Sequence, residues 1–90
     1  MPAIYARYDR TEARPGDLVV RLYHSGEEIR GYLRRVAEQD QEDAVFPGEE
    51  MQPDDAFRMA WNKNRDHPER PVLVELSEGV NWNPGWGKLA

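Results

Sequence analysis

The stretch LVVRLYHSGEEIRGYLRR, from Leu18 to Arg35, determines most of the fold that this sequence predicts. Its first part, Leu18 to Tyr23, places Leu18, Val20 and Leu22 on one side of an extended chain, as expected for a β-strand. Ser25-Gly-Glu-Glu28 then has the form of a capping box, in which a serine and a glutamate three residues later bind the free amides of a helix N-terminus.

The residues after this capping box have the spacing of an amphipathic helix. An apolar side is formed by Ile29, Tyr32, Leu33, Val36 and Ala37. The opposite side carries Arg30, Arg34 and Arg35, with Glu27 and Glu38 spaced for pairing along the helix. The pattern predicts a helix from Gly26 to Gln39, in which Gly31 costs about 1 kcal/mol relative to alanine.

The rest of the chain predicts two more strands and one more helix. The strands are expected at Ala3 to Tyr8 and Val72 to Leu76, and the helix from Pro53 to about Asn64. Gln39 to Gln52 contains Pro47-Gly48 and predicts a loop. Because the link between the first two strands is short, we expect them to pair antiparallel.

These elements predict one α+β domain over residues 1–90, in the order β-β-α-α-β. A three-stranded sheet would carry two helices on one face, and residues 77–90 would form an irregular tail. The other sheet face would present a surface with much apolar area. It is predicted to comprise Tyr5, Arg7, Val19, Arg21, Tyr23, Leu73 and Glu75.

The tail is the most distinctive segment, because Trp82 and Trp86 flank Asn83-Pro84-Gly85. Two interpretations stay open. The indoles cover the bare sheet face as a lid, or they form a stacking platform for a base, a sugar or a peptide. Tyr23, Trp82, Asn83 and Trp86 are therefore candidate partner-binding residues.

A second candidate region is acidic. Between Val36 and Phe57 the chain has eight carboxylates and no Lys, Arg or His, while the formal charge of the whole chain is −5. The pattern does not fit a calcium-binding EF-hand loop. A solvated loop, a docking surface for a basic partner and a looser divalent-cation site are all compatible with it. The candidate residues are Asp40, Glu42, Asp43, Glu49 and Glu50.

Catalytic and cofactor chemistry has little support in the sequence. There is no cysteine, and no nucleotide-binding glycine motif is present. His24 and His67 do not have the spacing of metal ligands, so we expect no metal and no cofactor. The negative net charge and the acids beside each arginine disfavour nucleic acid.

We therefore expect a small, cytoplasmic, non-enzymatic interaction or accessory protein that is not in the membrane. It would bind a protein partner, or a second copy of itself, through the apolar sheet face and the acidic loop. One alternative is a small-ligand or nucleic-acid binding module that uses the Trp/Asn tail. Another is a small acid/base enzyme in which His67 works with Asp66 or Glu69.

Overall fold

The computed structural model describes residues 4–37, 44–65 and 70–89, with the backbone alone for residues 44–50. The described residues form a mixed sheet of five strands, extended by a two-residue sixth strand, and one α-helix, α1. The elements are β1 (Ile4–Arg7), β2 (Leu18–Ser25), β3 (Glu28–Arg35), β4 (Ala44–Met51), α1 (Pro53–Lys63), β5 (Leu73–Leu76) and β6 (Lys88–Leu89). Across the sheet the strand order is β4-β3-β2-β5-β1-β6. The prediction of three strands and two helices is therefore wrong.

The helix predicted from Gly26 to Gln39 is absent, because β3 occupies residues 28–35. β2 and β3 form an antiparallel hairpin in which Ser25 pairs with Glu28. Gly26, at φ +65°, begins the two-residue turn, as the favoured hairpin turns require. Ile29 and Leu33 are four residues apart, a spacing that fits one face of a helix and one face of a strand equally well.

The loop predicted from Gln39 to Gln52 contains β4, which pairs antiparallel with β3 at one edge of the sheet. The pairing shifts between Leu33, opposite Phe46, and Gly31, opposite Met51. The irregular part of β4 includes Pro47-Gly48. Proline has no N–H to donate to a neighbouring strand. It is tolerated there because an edge strand has amides that face solvent and need no partner in the sheet.

The first two strands are not neighbours, so the predicted antiparallel pair is also wrong. β5 lies between β1 and β2 and runs parallel to both. The chain between β1 and β2 must therefore return along the sheet before β2 begins. The main-chain N–H of Gly16 donates to the carbonyl of Val36 (2.8 Å), which fixes this connection to the end of the hairpin.

The helix predicted from Pro53 is confirmed as α1, with Asp54 and Asp55 in its first turn. It packs Ala56, Phe57 and Ala60 against the sheet. Ala56 lies over Gly31, where an added Cβ would be 3.5 Å from the Cβ of Ala56. At its end, the Asn64 side chain donates to the carbonyl of Arg70 (2.7 Å), which ties the helix to the start of β5.

The C-terminal segment is ordered, in contrast to the irregular tail that we expected. Pro84–Trp86 form a 3₁₀ turn, and β6 then pairs parallel with β1. Trp82 and Trp86 pack on the helix side of the sheet, with ring centroids 5.6 and 5.7 Å from that of Phe57. The tail therefore fills the space beside α1 that a second helix was expected to occupy.

Candidate functional site

No helix of the described residues covers the sheet face opposite α1, and we call it the open face. Strand alternation identifies its residues, because Val20, Leu22, Leu33 and Val74 point into the core beneath α1. The register then places their neighbours on the other side. The open face is defined by Arg21, Tyr23, Arg30, Tyr32, Arg34 and Glu75.

Arg34 and Glu75 form the most enclosed ion pair of this face. Nη1 of Arg34 donates to Oε1 of Glu75 at 2.7 Å, and the Arg34 side chain is only 13% exposed. Its guanidinium also lies 4.8 Å from the centre of the Tyr8 ring, within the range of a cation–π contact. Burial acts to lower the pKa of Arg34, but the hydrogen bond and charge of Glu75 outweigh it and raise that pKa.

Arg21 lies beside this pair and is held by three neighbours. Its Nε donates to Oγ of Ser77 and its Nη1 donates to Oη of Tyr32, both at 3.2 Å. The Nε is also 3.8 Å from Oε1 of Glu75. The Arg21 side chain remains 44% exposed, so a rigidly placed guanidinium faces solvent.

Two tyrosines complete the open face. The rings of Tyr23 and Tyr32 are 6.0 Å apart at an angle of 56°, and both residues are half-buried. Arg30, the register partner of Tyr23, pairs with Glu28. The exposed part of the face is thus aromatic and charged.

The apolar residues predicted for this face are covered or lie elsewhere. Val19 is fully buried and Leu73 is 9% exposed. Tyr5 belongs to the core on the helix side, where its ring is 4.8 Å from that of Phe57. The expected apolar surface is therefore smaller than the sequence indicated, and its place is taken by tyrosines and arginines.

Tyr23 lies on the open face, and the structure separates it from the three candidates in the tail, which are Trp82, Asn83 and Trp86. Trp82 and Trp86 lie on the helix side of the sheet, 5.2 Å apart, and Nε1 of Trp82 donates to the carbonyl of Gly87 (3.2 Å). Asn83 accepts a hydrogen bond from the Gly85 amide and so begins the 3₁₀ turn. The indoles therefore do not cover the open face; they close the core beside α1.

Two of the five acidic candidates lie on β4, the strand at one edge of the sheet. Glu49 and Glu50 are within β4, of which the structure describes the backbone here, whereas Asp40, Glu42 and Asp43 lie outside the described residues. Because β4 is the neighbour of β3, Glu49 and Glu50 lie on the strand that borders the open face. Farther along, Asp55 in α1 lies 3.9 Å from Arg58 and is mostly exposed.

The remaining sequence candidates have structural partners or lie outside the described ranges. The ring nitrogen Nε2 of His24 lies 3.0 Å from the carbonyl oxygen of Gly79. His67 and its predicted partners Asp66 and Glu69 are outside the described residues. The helical pairing predicted for Arg30 and Arg34 is wrong, because both are on a strand and pair with Glu28 and Glu75.

Sequence reasoning assigned Arg21, Tyr23 and Glu75 to this face and missed Tyr32, Arg30 and Arg34. The missed signal is the alternation of core-facing and outward-facing side chains within Glu28–Arg35 (EIRGYLRR), a segment that was interpreted as a helix.

The described ranges lack both a metal-binding cluster and a membrane-spanning helix. They contain no group of three or more His, Asp or Glu side chains placed to hold a metal ion. They also contain no helix that is long and apolar enough to cross a membrane.

Comparison with protein-family models, with curated proteins and with solved structures gave no match to this chain.

Proposed function

We propose that this chain is a non-enzymatic cytoplasmic interaction protein that binds a protein partner through its open face. The observation that carries this proposal is the pair Tyr23 and Tyr32, half-buried side by side on a sheet face without a helix. Tyrosine and arginine are the residues most enriched at the centres of protein interfaces. Here both types lie together on regular strands.

Pre-organisation supports this use of the surface. Arg21 is fixed by Tyr32, Ser77 and Glu75, so that little side-chain freedom remains to be lost on binding. Immobilising a flexible side chain at an interface costs about 0.5–1.5 kcal/mol. A guanidinium that the fold already holds avoids much of that cost.

The charge distribution favours a different protein over a second copy as the partner. Eight carboxylates without a basic residue lie between Val36 and Phe57, and β4, in this segment, borders the open face. Two copies that met along this edge would bring like charges together. A partner with an apolar centre and basic groups toward β4 would be attracted instead, and its association would slow as salt is added.

Single-stranded nucleic acid is the second candidate, because exposed aromatic rings beside arginines on a sheet also suit base stacking. The net charge of −5 and the acidic border oppose phosphate binding. We expect no saturable change in fluorescence anisotropy with labelled single-stranded RNA or DNA at physiological salt. Saturable binding that Tyr23→Ala removes would favour nucleic acid over a protein.

The test is a comparison of variants on a partner captured from the native host. Immobilised wild-type protein should retain a partner whose affinity is then measured with purified components. Tyr23→Ala and Arg21→Ala should each weaken that affinity at least tenfold, as expected of central interface residues. Trp61→Ala is the matched control, because Trp61 is an exposed aromatic residue on α1, on the other side of the sheet.

All variants should keep the circular dichroism spectrum and unfolding midpoint within the range expected of surface substitutions. If the partner binds Tyr23→Ala and Arg21→Ala as tightly as wild type, the open face is not its site. If Trp61→Ala alone weakens binding, the partner uses α1, and the proposal is wrong.

A further inference from the structure

A cleft of about 300 Å³ lies beneath the connection between β1 and β2, apart from the open-face residues. Its apolar lining comes from Ala6, Ala13, Pro71 and Leu73. This volume is at the lower end of the range for small-molecule sites, which are mainly apolar with a few placed polar groups.

Hydrogen bonds within the connection hold the cleft in shape. The amides of Glu12 and Ala13 donate to the carbonyl of Asp9 at 3.0 and 2.9 Å, and the amide of Asp17 donates to the carbonyl of Arg14 at 3.0 Å. The amide of Val36 in turn donates to the carbonyl of Asp17 at 2.9 Å. These consecutive turns pre-form the site before any ligand enters it.

Three arginines from separate segments line the cleft: Arg7 at the end of β1, Arg14 in the connection and Arg70 just before β5. Nη1 of Arg70 donates to the carbonyl of Pro15 (3.2 Å) and lies 3.4 Å from Oδ1 of Asp17. The guanidinium groups of Arg7 and Arg14 have no hydrogen-bond or ion-pair partner among the described residues.

The cleft also contains three carboxylates, and two of them are engaged in holding the connection. Asp9 accepts hydrogen bonds from the amide and the hydroxyl of Thr11, at 2.9 and 2.7 Å. Asp17 accepts from the Arg14 amide at 2.9 Å and pairs with Arg70. Glu12 is the third. The cleft therefore has unused donors on Arg14, while three of its six carboxylate oxygens are already bound within the protein.

We propose that this cleft binds a small organic anion, a molecule with one carboxylate or phosphate group on an apolar body. Arg14 binds the anionic group, because a guanidinium fork matches the oxygens of both groups. Ala6, Pro71 and Leu73 contact the apolar body. This site uses none of the residues assigned to the protein partner, so either proposal can fail alone.

The experiment is a two-dimensional amide NMR titration of the wild-type protein with benzoate, phenyl phosphate and neutral benzamide. We expect one or both anions to shift the amides of residues 12–17 and 72–74 saturably in the millimolar range, and benzamide to shift them much less. The stronger of the two anions identifies the group that the cleft prefers.

Arg14→Gln should weaken anion binding about tenfold, since a charged hydrogen-bonding group is removed from the ligand. Arg7→Gln should weaken it less, because Arg7 is the register partner of Val74 and lies on the α1 side of β1. Arg14→Gln keeps the main-chain amide that binds Asp17, so the connection should remain folded. Arg58→Gln is the matched control, because Arg58 is an exposed arginine on α1.

Ala13→Leu, which places a larger side chain in the cleft, should also reduce binding without changing the charge. The proposal is overturned if neither anion gives a saturable shift or if benzamide binds as well as benzoate. Equal affinity of wild type and Arg14→Gln would also overturn it.

Discussion

Replacing Gly31 by alanine should destabilise the protein, and the sign of this effect distinguishes the observed strand from the predicted helix. A Cβ added at Gly31 would lie 2.7 Å from Cδ2 of Leu22 and 3.2 Å from the carbonyl oxygen of Arg21. Leu22 is fully buried, so moving its side chain disturbs the packing of the core around it. The Arg21 carbonyl belongs to the backbone of β2 and moves only with the strand.

The expected loss follows from two opposing contributions. Inserting a methyl group into a packed core costs about 1–3 kcal/mol. Replacing glycine by alanine restricts the unfolded chain and returns about 0.4–1 kcal/mol. The difference between these two ranges is a fall in the free energy of unfolding of about 0–2.6 kcal/mol. Its middle value of about 1.3 kcal/mol lowers Tm by roughly 5–10 °C for a domain of this size. In a helix, the same substitution would raise the stability by roughly 0.5–1 kcal/mol.

Urea unfolding, followed by tryptophan fluorescence, measures this change in the free energy of unfolding. Trp82 and Trp86 are packed against Phe57, so their fluorescence should change when the core unfolds. Leu22→Val, which removes the clashing methyl group, provides the control. The double variant should be more stable than the sum of the two single changes by about 0.5 kcal/mol or more. An increase in stability for Gly31→Ala alone would refute the packing of Gly31 against Leu22 and the backbone of β2.

Two further predictions concern the tail and the first connection. Trp82→Ala should lower the free energy of unfolding by about 2–4 kcal/mol in the same urea assay, because it empties part of the aromatic core. Trp61 is 57% exposed, so Trp61→Ala should lower it by less than about 1 kcal/mol. Equal losses for the two variants would show that the tail is not packed as described. The hydroxyl and the amide of Thr11 donate to Asp9 and lower its pKa. The stability that this contact adds is therefore complete above the ordinary pKa of an aspartate. It is lost as the pH falls through the lowered pKa. Thr11→Ala should raise the pKa of Asp9 in a carboxyl NMR titration, and an unchanged value would contradict the contact.

The parts of the fold that were predicted correctly depend on local signals. The helix at Pro53 was recognisable because a proline at its start and two aspartates in its first turn match its dipole and its free amides. β2 and β5 were recognisable because their apolar residues alternate. None of these signals requires knowledge of a distant segment.

The incorrect predictions depend on contacts between distant residues. The spacing of Ile29 and Leu33 fits two periodicities. Only the close contact of Gly31 with Leu22 and with the Arg21 carbonyl of β2 shows why a glycine stands on that strand. The position of β5 between β1 and β2 could not be inferred from the length of the first connection. Likewise, nothing in the tail indicates which face its two indoles cover. The open face was consequently predicted in part, without the residues that β3 contributes.

The insertion of β5 between β1 and β2 has a consequence for synthesis on the ribosome. β2, β3, β4 and α1 are contiguous in the chain and can associate as they emerge, but β1 finds its neighbours only after residues 73–76 and 88–89 have been translated. Until then the nascent N-terminus has no place in the sheet, and β2 exposes the edge that β5 will later occupy. We therefore expect β1 to join the sheet only after residues 73–89 have left the ribosome, and a chain truncated before residue 73 to aggregate through the exposed edge of β2.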